Sequence, residues 1–286
     1  MPTPRIASEF DEISRVYDET REPLDAATFD GLVSLFRRAG IASVLEVGVG
    51  TGRIAGPLAT RSLTVTGVDV SAGMLARARS KGVPRLVRAS GYHLPFADRA
   101  FDATLFVHVI HLLDDPVAAL REATRVGEAG AFALVHPTPP GPGPGRGHPF
   151  TARRLLREAL NEQGCRLPHG LSDPWTKERE ILSRLPPHDV EVVSDRPITK
   201  SVRADLDRLA RGGNRNLLAI PPPALEKALE VARARAGEET VTYRQVEAVA
   251  RWTADSLPPP QDRRPAAPPD GPSSSHGERR SGPGPA

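Results

Sequence analysis

The chain has 286 residues, 39% hydrophobic and only 5% aromatic, which allows one large or two small domains with cores built mainly from Ala, Leu and Val. A formal net charge of +3, with no basic stripe interleaved with aromatics, speaks against a nucleic-acid binder. Cys165 is the single cysteine, Met1-Pro-Thr-Pro-Arg-Ile6 has no apolar signal core, and no run approaches a membrane span, so a soluble cytoplasmic protein without internal disulfides is expected.

Residues 8–20 read as a short helix entered through Ser8, followed by Thr20-Arg-Glu-Pro23. A second amphipathic helix spans about 24–39, with Phe29, Leu32, Leu35 and Phe36 at helical spacing and Gly40 ending it. Val44-Leu-Glu-Val47 is a buried strand, Gly48, Gly50 and Gly52 form a turn, and residues 53–60 begin a helix. Further strands are expected at 63–69, 85–89, 101–107 and 131–135. Helices lie between them at 72–81, capped by Ser71, and from Asp115-Pro116 to Gly127. Five strand–helix alternations in about a hundred residues predict a doubly wound, mostly parallel sheet. Ligands of such sheets bind beyond the carboxyl ends of the strands, where strand order reverses.

Residues 137–149 are almost all Pro and Gly and read as a loop. Helical patterns follow at 151–164, 175–185, 201–211 and 222–236, with strands at 189–194 and 241–252. The helices between the last two strands read as a cap over the crevice. The expected organisation is therefore N-terminal helices over the ligand (1–40), a binding core (41–136), helical insertions with the last two strands (137–256) and a disordered Pro/Gly/Ser/Arg tail (257–286).

Glycines at alternate positions let the backbone adopt positive φ and let a ligand approach without Cβ atoms in the way. The dinucleotide fingerprint does not fit: the third glycine comes one residue early, and Arg53 stands where a small residue belongs. Glu46, just before the first glycine, would repel a pyrophosphate and suits an ammonium group. S-adenosyl-L-methionine, with an amino-acid end, a sulfonium, a ribose and no phosphate, meets that requirement. Asp69, ending the second strand, is placed to accept ribose hydroxyls, a geometry shared with NAD-binding folds.

The run Glu46-Val-Gly-Val-Gly-Thr-Gly52 resembles the first motif of class I S-adenosylmethionine-dependent methyltransferases. Gly67-Val-Asp-Val-Ser71 with Met74, Leu94-Pro-Phe-Ala-Asp98, Phe101-Asp102, His111-Leu-Leu-Asp-Asp-Pro116 and Glu122-Ala-Thr-Arg125 are similar to the type 11, ubiquinone-biosynthesis-like branch. The resemblance covers about 41–136. It implies a Rossmann-like, seven-stranded sheet with an inverted last strand. It also implies Glu46 and Gly48 near the methionyl group, Gly50 and Gly52 in the turn, Asp69 and Val70 at the ribose, Met74 against adenine, and Val107 at the cofactor crevice. Val16-Tyr17-Asp18 with Arg21 resembles an N-terminal pattern of the branch, in which Tyr17 closes the methionyl pocket and Arg21 pairs with a carboxylate. Where the family commonly has Asp-Ala after the third strand, Ser90-Gly91 stands here, leaving adenine to a hydroxyl, backbone groups and Tyr92. The usual Leu-Lys-Pro-Gly-Gly run is replaced by Gly127-Glu-Ala-Gly-Ala131.

Transfer of an activated methyl group needs alignment and a dry pocket, and a base only where the acceptor must lose a proton. His108 and His111, after the fourth strand, are the candidate catalytic residues, and His136 is a weaker one. Trp175, Tyr243 and Trp252 are candidates for the acceptor cavity, with core packing the competing expectation. Absent Asp/Asn-Pro-Pro-aromatic and Pro-Cys motifs argue against exocyclic base amines and pyrimidine C5, and no metal-ligand spacing is present. The expected partner is a small-molecule methyl acceptor. A non-catalytic binding module and a nicotinamide-dependent oxidoreductase are the alternatives.

Overall fold

The computed structural model describes residues 4–22, 24–138, 141–142, 150–166, 174–212 and 214–259. Strands β1 (Ser43–Val47), β2 (Thr64–Asp69), β3 (Arg85–Arg88), β4 (Ala103–Val107) and β5 (Ala131–Val135) alternate with helices α3 (Ala55–Ala59), α4 (Ala72–Ser80) and α5 (Pro116–Val126). They are preceded by α1 (Pro4–Ile13) and α2 (Ala26–Arg38). A two-residue strand β6 (Gly141–Pro142), helices α6 (Thr151–Glu162) and α7 (Pro174–Arg184), strand β7 (Asp189–Ser201), helices α8 (Val202–Ala210) and α9 (Pro222–Ala236), and strand β8 (Thr240–Trp252) complete the chain.

The sheet order is β3-β2-β1-β4-β5-β8, with β7 paired to the far side of β8 and β6 touching β8. Strands β1 to β5 are mutually parallel, and β8 is antiparallel to both β5 and β7. Seven main strands with one inverted are what the sequence predicts, and β6 is a small addition. Strand order reverses between β1 and β4, which makes their carboxyl ends the crevice.

Successive residues of β1 bury on opposite faces. Val44 joins Leu32, Phe36, Leu58 and Val65 under α2 and α3, whereas Leu45 joins Phe106, Leu120 and Ala133 under α5. Helices on both faces explain why β4 and β5 are apolar at almost every position. A third cluster, including Leu156, Leu160, Val202, Leu206 and Leu229, unites α6, α8 and α9. This helical layer sits on the β7–β8 ribbon, whose pairing runs from Asp189↔Arg251 to Ser201↔Thr240, well past the last β5 partner, Ala248.

Two elements differ most from their predicted bounds. The first helix spans Pro4–Ile13 and is followed by turns and a single 3-10 turn at Asp18–Thr20. It stops because the chain bends to bring Asp18 onto the glycine turn. Strand β7 continues seven residues past Ser194, through Pro197. Pro197 is tolerated because β7 pairs on one side only. The expected tail beyond Pro259 and most of the 137–149 loop lie outside the described residues, and no described helix is long and apolar enough to cross a membrane.

Several motif residues serve this framework. Asp102 accepts the amides of Ala42 and Ser43 at 2.8 Å each, fixing the start of β1 to β4. Arg125 donates to the carbonyls of Leu94 and Phe96 and to Glu122 and Asp98, while Glu122 accepts the Leu94 amide. Removing the guanidinium in Arg125→Ala strands part-buried acceptors, so a stability loss of about 2 kcal/mol is expected in urea denaturation. A loss below about 0.5 kcal/mol would mean that water replaces the clamp.

Candidate functional site

The site begins where β1 ends. Gly48, Gly50 and Gly52 have φ of +74°, +54° and +77°, conformations that L side chains rarely adopt. The amides of Gly48 and Val49 donate to the Val68 carbonyl at 2.8 and 2.9 Å, locking the turn to β2. A Cβ on Gly48 or Gly52 would lie 2.6 Å from Val109 or Val83, respectively, whereas one on Gly50 would meet nothing within 4 Å. The flanking glycines are thus demanded by packing, and the middle one borders open space.

Two carboxylates flank this space. Asp69 accepts the Gly50 and Ser71 amides, one on each oxygen, at 2.9 Å. Burial, partly offset by these bonds, raises its pKa. Each oxygen keeps a further lone pair, which is the capacity ribose hydroxyls require. Glu46 is only 2% exposed; burial first, and the charge of Asp69 in addition, raise its pKa well above the ordinary value, although the Ala55 amide opposes them. Its Oε2 is buried without a hydrogen-bond partner. An orphaned acidic oxygen beneath the glycine turn fits an ammonium ligand and opposes a phosphate.

The N-terminal arm folds against this edge. Asp11 on α1 accepts the Ser71 hydroxyl and the Gly73 amide, and Asp18 accepts the Thr51 hydroxyl and pairs with Lys81. Arg53 donates to the Glu22 carbonyl. The Arg21 guanidinium stacks 4.3 Å from the Tyr17 ring centroid and donates to the Thr20 carbonyl and hydroxyl. Tyr17 and Arg21 therefore act as one stacked unit in the arm.

On the expected adenine side, Met74 is buried at 1% exposure and Ser71 caps its amide at 3.0 Å. The Val70 carbonyl accepts from Arg88 Nε at 3.0 Å, and Val107 is buried. A Cβ on Gly91 would lie 3.0 Å from Val47. Ser90 Oγ accepts the Tyr92 amide at 3.2 Å, and the Tyr92 hydroxyl accepts the amides of Asp114 and Asp115 at 2.9 and 3.3 Å. The Tyr92 hydroxyl thus fixes the entry to α5, a job the sequence reading did not assign to it.

The other wall lies past β4 and β5. His108 has φ of +57°, rare for a side-chain-bearing residue. The residue is exposed, with its ring centroid 6.3 Å from that of His136; the surrounding protein, and His136 next, lower its pKa. His136 is 3% exposed, with Nδ1 2.9 Å from Glu178 Oε2 and its ring stacked on Trp175 at 4.1 Å. His111 Nδ1 lies 3.3 Å from Glu178 Oε1. Burial alone would raise Glu178, but hydrogen bonds from the two histidines outweigh it and bring its pKa down to about 2.

The structure therefore gathers His108, His111, His136 and Trp175 around a residue the sequence did not single out. Glu178 lies in a helix that reads as amphipathic, and nothing near it in sequence announces two histidine partners. Tyr243 is 6.2 Å from Trp175, between ring centroids, and is buried, while Trp252 is fully buried and donates to the Leu185 carbonyl as a core residue. Among the described residues no His, Cys, Asp and Glu cluster has the arrangement to hold a metal ion.

Comparison with known proteins finds relatives of the core. Residues 45–135 match the family model for a methyltransferase domain. The demethylmenaquinone methyltransferase of Corynebacterium kroppenstedtii is 34% identical over 138 residues, 46% of this chain and 58% of that one. That of Beutenbergia cavernae is 33% identical over 147 residues, 47% of this chain and 59% of that one. The chain thus spans less than two thirds of the length of these curated relatives. A solved structure from Anabaena variabilis, proposed as a methyltransferase of an antibiotic-biosynthesis pathway, shares the fold. Its TM-score is 0.52 at 15% identity, covering 81% of this chain and 98% of that one.

Proposed function

We propose that this chain, whose residues 45–135 match a methyltransferase domain, is a class I S-adenosylmethionine-dependent methyltransferase that moves a methyl group to a small-molecule acceptor. The acceptor lies between the carboxyl ends of β4 and β5 and the helical cap. The observation that carries this reading is the buried, unpartnered Glu46 oxygen under a glycine turn that Asp69 flanks.

In this reading Glu46 holds the ammonium end, Asp69 the ribose, Gly50 leaves the passage open, and the region of Met74 and Ser90 receives the adenine. S-adenosylmethionine supplies a methyl group on a sulfonium sulfur, which keeps the C–S electron pair and leaves as a neutral thioether while the acceptor lone pair forms the new bond. The protein's part is to align, to exclude water with the Asp11–Tyr17–Glu22 arm, and to take up a proton where the acceptor carries one. The family match ends at residue 135, before the cap helices, so the acceptor of the demethylmenaquinone relatives does not come with it.

Isothermal titration with S-adenosylmethionine, S-adenosylhomocysteine and NAD tests this. Heat with both sulfur ligands and none with NAD is expected, and heat with NAD alone would favour the oxidoreductase instead. Asp69→Ala is expected to weaken S-adenosylhomocysteine by about tenfold or more, as loss of a charged hydrogen-bond acceptor would; unchanged affinity would remove the ribose assignment. Cofactor binding without methyl transfer to any acceptor would favour a non-catalytic module, a reading that the Ser90 position supports.

A further inference from the structure

We propose that Glu178 is the positioning residue of a proton-accepting pair with His111, which fits the site to an acceptor bearing a weakly acidic hydroxyl, of the enol or activated phenol kind. This rests on the methyl-transfer reading above. Glu178 comes from α7, outside the family-matched core, and reaches histidines that follow β4 and β5. It is 1% exposed and makes contact through both oxygens: Oε1 with His111 Nδ1, and Oε2 with His136 Nδ1 and the His136 amide. A carboxylate only accepts, so each Nδ1 must carry its proton, and in a neutral ring Nε2 is then the basic nitrogen.

The two histidines differ in access. His136 is sealed: its ring is covered by Trp175, and its Nε2 faces Glu247 Oε1 at 3.8 Å. Glu247 in turn accepts the Thr28 hydroxyl from the far side. The His111 side chain keeps 17% of its surface exposed, at the turn that leaves β4. His111 Nε2 is therefore the reachable base. His108, the other candidate, stands outside the pair, because both Glu178 oxygens are engaged by His111 and His136. The charged and titratable groups around the pair include His136, His108 and Glu247, with Lys177 donating to the Leu113 carbonyl beside His111 and Arg53 acting on His108.

A buried carboxylate is costly unless its partners are organised. A clamp between cap and core would work as well with apolar side chains. What the carboxylate adds is a fixed tautomer. The acceptor O–H proton passes to His111 Nε2, the oxygen lone pair takes the methyl group, and the proton then leaves the imidazolium for water. A tertiary amine or thioether acceptor carries no proton to lose and needs no base.

Two-bond nitrogen–proton spectra of histidine-labelled protein at neutral pH report the tautomer directly and need no acceptor. His111 is expected as the Nδ1–H form in the wild type, and to move toward the Nε2–H form in Glu178→Gln. With methyl-group release followed across a panel of enols and phenols, kcat is expected to fall about 100-fold in Glu178→Gln. S-adenosylhomocysteine affinity is expected to stay within twofold, and kcat to fall at least as far in His111→Gln. An Nε2–H tautomer in the wild type overturns the proposal, even where Glu178→Gln does not fold. So does an unmoved tautomer in that variant, or a lower melting temperature without either change. A correct tautomer without S-adenosylhomocysteine binding would instead sink the methyl-transfer reading.

Discussion

Gly50→Ala is expected to fold and to lose its cofactor. The residue has φ of +54°, and a methyl group there meets no atom within 4 Å. The stability cost is then the left-handed backbone of a non-glycine residue, about 1 kcal/mol. The space that the methyl group enters is the one assigned to the ligand, so S-adenosylhomocysteine affinity should drop about 100-fold, or roughly 2.7 kcal/mol. Gly52→Ala should behave in the opposite way. Its Cβ would stand 2.6 Å from Val83 Cγ2 and 3.3 Å from Ala78 Cα, and φ is +77°. Packing strain and backbone strain together make a loss of about 3 kcal/mol in stability. Urea denaturation and titration calorimetry on the two variants separate the effects. If Gly50→Ala keeps its affinity within threefold, no ligand crosses the middle of the turn.

The difference between these glycines was hidden in the sequence, where the three read alike. Local chemistry was legible: Ser71 and Asp115 cap the predicted helices, and the apolar runs of β1, β4 and β5 became the central strands. The parallel sheet with helices on both faces followed from alternation, and its inverted last strand from the family resemblance. What failed to show was set by contacts between distant residues. Asp18 draws the chain away from a continuous first helix because Thr51 and Lys81 lie across from it. The far half of β7, with Asp195, Arg196 and Pro197, does not read as a strand; it is one because β8 offers a continuous partner and Arg244 pairs with Asp195. Glu178 is the clearest case. A charge on a helix is ordinarily a solvated face, and only the meeting of α7 with the ends of β4 and β5 makes it a buried partner of His111 and His136.

Glu46→Gln is expected to stabilise the ligand-free protein at neutral and higher pH while weakening S-adenosylhomocysteine. In the folded chain, burial and the Asp69 charge raise the Glu46 pKa well above the ordinary value. An acid whose folded pKa is raised binds its proton more tightly when folded than when unfolded. Its favourable effect on folding is thus complete below the unfolded pKa of about 4.5 and is lost as pH climbs through the folded value. Glutamine has no charge to bury, so that pH-dependent loss should vanish from the urea-derived stability of the variant. An ammonium ligand reverses the balance by favouring the carboxylate, so binding near neutral pH should release up to about one proton per site more in the wild type than in the variant. Titrations in buffers of different ionisation enthalpy count that proton. Affinity for S-adenosylhomocysteine should fall about 100-fold in the variant, the scale for losing one member of a buried charged pair. A variant that binds S-adenosylhomocysteine unchanged, or that begins to bind NAD, would show that the carboxyl under the turn is a structural acid with no ammonium to meet.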